Sequence, residues 1–109
     1  MYGFFGMVKT VGKLQTFADG GLRRNLIVEE QGVHGRPNVV AFLFKNKNVN
    51  MLRRVMPGMR VKVGFCLNGR ELTDPGSGEL RYGVDLEAQG LVLSVGVGED
   101  PDIAVGEQA

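Results

Sequence analysis

Residues 38–70 read NVVAFLFKNKNVNMLRRVMPGMRVKVGFCLNGR, and the order of elements in this stretch decides the fold. Residues 38–45 alternate as a strand does, with Val40, Phe42 and Phe44 on one face and Val39, Ala41 and Leu43 on the other. Both faces are apolar, so this strand is either central in its sheet or uses one face to meet a partner. Residues 46–56 form the one helical candidate. Val49, Leu52, Val55 and Met56 recur at helical spacing, an Asn stands at the start, and Pro57-Gly58 stops it. At roughly ten residues such a helix forms only through packing. Residues 60–70 return to strand period. Val61, Val63, Phe65 and Leu67 define a core face, and the other face opens with Arg60 and Lys62.

Working outward, residues 1–17 are apolar-rich but interrupted by Gly3, Gly6 and Gly12, the pattern of a strand bending round a barrel corner. Gly20-Gly21 after Asp19 is a turn signal, and residues 22–30 resume an extended pattern. Residues 31–37 are a loop by composition. Beyond the central stretch, TDPGSG at 73–78 is a hairpin loop. Residues 80–95 form a last strand, with Tyr82, Val84, Leu86 and Ala88 facing one way and Arg81, Asp85 and Glu87 the other. Residues 96–109 have no periodicity and no aromatic residue and are expected to form a tail.

Five strands with one short helix between the third and fourth is the order of an OB-fold, an all-β barrel. A domain over residues 1–95 and an acidic tail over 96–109 are expected. OB barrels take single-stranded nucleic acid or oligosaccharide on the face of strands 2 and 3, flanked by the loops after strands 1 and 4. Those loops would be residues 17–21 and 72–79.

The formal charge of +1 conceals an uneven distribution. Eight of the 13 Lys and Arg residues lie between Gln31 and Arg70, a stretch without any acid. Residues 90–109 hold four acids and no base, so the first 89 residues alone carry +5. A basic body with an acidic tail suggests a polyanionic partner, with a clustered but merely solvated surface as the alternative. The longest uncharged run of apolar character, residues 89–98, is too short and too glycine-rich for a membrane helix. The first residues lack the pattern of a signal peptide. A single Cys allows no internal disulfide, and a cytoplasmic setting is expected.

Enzyme motifs are weak. Residues 6–13 suggest a phosphate loop, but five residues separate Gly6 from Gly12 instead of four, and Leu14 stands where a magnesium-binding Ser or Thr is needed. His34 is the one imidazole and Cys66 the one thiol, too few for a zinc site. Asp85 and Glu87 alternate on one strand face, and a solvated face explains them better than an acid–base pair. No catalytic residue, metal or cofactor is expected.

Residues 38–42, then Lys45, Gly58, the run 61–63, Leu67 and Arg70, resemble the middle of bacterial single-stranded DNA-binding proteins. The run 70–74, followed by Gly78 and Arg81-Tyr82, is similar to the hairpin of that family. It is closer still to a small OB-fold family of bacterial and phage proteins described only as a domain of unknown function. There, a basic pair precedes strand 2 (here Arg23-Arg24) and a Gly-Arg-Glu-aromatic motif ends strand 4 (here Gly69-Arg70-Glu71-Leu72). Leu72 departs from both patterns, which carry Trp there, and the chain has no Trp. The resemblance implies non-sequence-specific binding of single-stranded DNA in replication, repair or recombination. It also implies a dimer or tetramer, and an acidic tail (Glu99, Asp100, Asp102, Ile103) that recruits partner proteins. A protein-binding adaptor and an RNA-binding module are the alternatives. Candidate phosphate contacts are Arg23, Arg24, Arg36, Lys45, Arg60, Lys62, Arg70 and Arg81. Candidate stacking rings are Phe17, Phe44 and Tyr82, with the N-terminal Tyr2, Phe4 and Phe5 as further candidates.

Overall fold

The structure is a computed structural model that describes residues 1–93. The strands are β1 (Tyr2–Val11), β2 (Gln15–Thr16), β3 (Leu22–Gln31), β4 (Pro37–Lys45), β5 (Arg60–Thr73) and β6 (Leu80–Leu93). Their order is β1-β5-β6-β4-β3-β2, and an additional β1–β3 pairing closes the five long strands into a barrel. This is the OB-fold arrangement expected from the sequence. The expected tail, with Glu99, Asp100, Asp102 and Ile103, lies outside the described residues.

Closure depends on β1 changing partners. Met7 pairs with Arg60 of β5 and also with Glu29 of β3, so the strand crosses from one neighbour to the other at that point. Gly6 sits at the crossing, where a Cβ would stand 2.6 Å from the Glu29 carbonyl oxygen. Only glycine permits that approach. A bulge between Val8 and Thr10 completes the bend.

The core follows the strand alternation. Leu26 and Val28 of β3, Phe42 and Phe44 of β4, and Val61 and Val63 of β5 are fully buried. Rings of Phe4, Phe42 and Phe65 meet in series, with centroids 5.4 and 5.0 Å apart, and Tyr2 extends the series to Phe65 at 5.6 Å.

Three expectations need correction. The expected helix over 46–56 is a shorter 3-10 segment, Asn46–Leu52. Asn46 does not cap it. Its φ is 52°, and its side-chain oxygen accepts the Leu22 N–H at 3.1 Å, which pins the start of β3. Val49, Leu52 and Val55 are buried as expected, but Met56 is exposed. The first strand is divided, with β2 a separate two-residue ladder on β3. Finally, Leu67 is 54% exposed, not core. After a bulge between Gly64 and Phe65, β5 and β6 continue as a two-stranded arm to the 74–79 turn, past the end of the barrel core. Alternation persists along the arm, but among the described residues no second layer covers it. Tyr82 and Val84 are exposed for the same reason, and only Ala88 of that face is fully covered.

Candidate nucleic-acid interface

The outward residues of β3 and β4 pair in register, Arg23 with Lys45, Asn25 with Leu43, and Ile27 with Ala41. On the far side of β4 a single parallel contact, Leu43 with Glu87, joins it to β6. The arm diverges from there and leaves a groove of about 570 Å³ between itself and β4. Val39, Ala41 and Leu43 form its apolar floor. Gln15, Arg23 and Asn25 line one end, and Arg70, Val84, Asp85 and Leu86 line the arm side. The second apolar face of residues 38–45 is therefore a groove floor.

Phe17 stands in the loop between β2 and β3, 42% exposed. The Arg23 guanidinium carbon lies 4.6 Å from its ring centroid. This contact leaves the opposite ring face for a second planar group. Aspartate chemistry sets the loop: the Gly21 N–H donates to the Asp19 carboxylate at 2.8 Å, and Gly20 takes a φ of 87°.

The cations named from sequence separate into distinct environments. Lys45 bonds Glu87 at 3.1 Å and Arg70 bonds Asp85 at 2.8 Å, while Arg81 lies 3.7 Å from Asp74. Each acid is matched across the groove or hairpin, so these three cations are partly neutralised. Arg24 donates its Nε–H to the Gly12 carbonyl at 2.7 Å and holds β1 against β3. Arg36 is exposed at the end of the turn before β4. Arg60 and Lys62 are exposed on a different wall, the outer face of the β1–β5 ladder. The structure thus sets Arg23 and Arg70 at one groove, with Lys45 paired to Arg23 beside it, and places Arg60 and Lys62 apart from it.

Among the rings, Phe44 is a correction. It is fully buried beside Phe42 and cannot meet a base, because its strand position turns it into the barrel. Tyr82 is 74% exposed on the arm. By ladder pairing it shares a face with Glu71, whereas Leu72 shares the opposite face with Arg81. Asp85 and Glu87, expected on a solvated face, each hold a basic partner. Those partners are missed because they lie across a hairpin or on another strand. The 73–78 turn signal, extended into a register, is the signal that pairs Asn68 with Asp85 and brings Arg70 close.

The Glu87 carboxylate is held below the usual carboxylate range, chiefly by its bond to the Lys45 ammonium and then by the Asn68 amide. A depressed folded value stabilises the protein above the unfolded Glu value of about 4.3, and that stabilisation is lost as pH falls through the folded value. Glu87→Gln is therefore expected to be less stable than the parent at neutral pH, with the gap closing in acid. Urea unfolding at stepped pH values checks this, and a gap independent of pH would count against it.

Two comparisons with known proteins, one against protein-family models and one against curated sequences, find no match. Among solved structures, the chain is similar to the mitochondrial single-stranded DNA binding protein Rim1 from S. cerevisiae. The TM-score is 0.64 at 15% identity, over 84% of this chain and 91% of that one. That likeness supports the OB-fold. The similar protein is named for DNA binding, not for an enzymatic reaction.

Proposed function

We propose that this barrel binds single-stranded DNA with little sequence preference, in the groove between β4 and the β5–β6 arm. The observation that carries the reading is Arg23 lying on the exposed Phe17 ring at the end of an apolar groove. Such a pair offers phosphate attraction and a stacking face together, and neither reads base identity. The flat apolar floor of Val39, Ala41 and Leu43 suits unstacked bases. Likeness to a single-stranded DNA-binding structure supports the same conclusion. Work on DNA in replication, repair or recombination, a cytoplasmic setting and a non-enzymatic role belong to this proposal. So does self-association into a dimer or tetramer. It is supported by the β1 edge over residues 2–6, which β5 pairs on one side before β3 joins at Met7.

A protein-binding adaptor is the second reading. It is favoured by the ion pairs of Lys45 and Arg70, which reduce the positive charge at the groove. Fluorescence anisotropy of labelled oligothymidine, and of a matching duplex, across a salt series separates the two. Single-strand binding predicts preference for the oligothymidine and a log–log salt slope of about −0.7 per phosphate contacted. Equal and feeble binding to both favours the adaptor.

A further inference from the structure

The β1–β5 ladder has a second surface of cations and an exposed ring, and its two cations are not paired with a carboxylate among the described residues. Phe5 pairs with Lys62 and Met7 with Arg60. Val61 and Val63, which alternate with the two cations, are fully buried, so Arg60 and Lys62 stand outward. Phe5 is 41% exposed beside them. Lys62 lays its stem over Gly3, where a Cβ would be 3.4 Å from the Lys62 Cε. Among the described residues neither cation has a carboxylate partner, whereas Lys45 and Arg70 at the groove each have one. A shallow cleft of about 330 Å³ runs beside Phe5, Met7 and Arg60. Its acids are engaged elsewhere: Glu29 with Lys9 at 3.7 Å and Glu30 with the Asn38 amide at 2.8 Å.

We infer that this wall is a second contact surface for a single strand that already occupies the groove. Lys62 and Arg60 meet its phosphates, and Phe5 offers a base a stacking face. Charge decides the occupant. Two cations free of carboxylates beside an exposed ring match a polyanion with planar groups. Along β5, Lys62 lies eight residues from Arg70 of the groove, or roughly 26 Å at about 3.3 Å per residue. A short oligomer held in the groove does not reach it and a long one does. The inference rests on the single-strand reading above.

The test compares oligothymidines of about 5 and about 30 nucleotides, at the low end of and well above the roughly 4–16 nucleotides one OB barrel occupies. The expected result for Arg60→Ala with Lys62→Ala is unchanged affinity for the short oligomer. For the long one, the salt slope should be shallower by about 1.4, or two contacts at 0.7 each. Phe5→Ala should weaken the long oligomer several-fold with its slope unchanged. A parent protein that binds the long oligomer, with variants that bind it identically, overturns the wall alone. Equal weakening at both lengths also overturns it. A parent that binds neither length overturns the groove and the wall together. Matched urea midpoints confirm that the surface variants remain folded.

Discussion

Phe42→Ala is expected to lower stability by about 3–5 kcal/mol, the usual cost of emptying a buried Phe site. Phe42 is fully buried and is the middle ring between Phe4 and Phe65, so it joins β4 to β1 and β5. Those contacts cross the barrel, and a partial collapse around alanine would have to move three strands. A small domain has about 5–15 kcal/mol in total, so the variant should sit near the limit of folding. Urea unfolding followed by far-ultraviolet circular dichroism suits a chain without Trp. The midpoint should fall with the slope unchanged. A loss below about 1 kcal/mol would show that the core repacks and that the ring series is not a keystone.

Phe17→Ala is expected to do the reverse. It should reduce affinity for oligothymidine about tenfold or more, since base stacking on a ring is worth about 1–3 kcal/mol. Its cost to stability should stay near 0.5–1 kcal/mol, the value of an exposed cation–π contact. Arg23→Ala should weaken binding by a similar amount and make the salt slope shallower by about 0.7, which Phe17→Ala should not do. Because the guanidinium rests 4.6 Å from the ring centroid, the double variant should lose less than the sum of the two. Anisotropy across a salt series measures all three. Parent-like affinity in both single variants would remove this end of the groove from the site.

These two Phe residues show where sequence stops being informative. Both follow apolar or extended runs, and their chemistry is identical. The alternation over residues 38–45 places Phe42 inward, and the structure agrees. The same alternation places Phe44 inward, yet its position beside Lys45 at the strand end made it a stacking candidate. It is buried because the 3-10 segment folds back under that end, with Val49 and Leu52 in the same cluster. Leu67 fails in the opposite direction. Its period is right, but nothing among the described residues covers the arm. The pairing of Arg70 with Asp85, 15 residues apart, had no local signal beyond the turn between them.

By itself the sequence determined the strand periods, the position of the short helical segment, a glycine-bent first strand and the segregation of charge. All of these follow from local backbone geometry and from counting. Only the tertiary structure decided which cations keep their charge unmatched, which rings face solvent, and that Arg60 and Lys62 occupy a different wall from Arg23. Those properties depend on cross-strand register and on where the barrel closes, and a residue's partner across a barrel leaves no trace in its own neighbours along the chain.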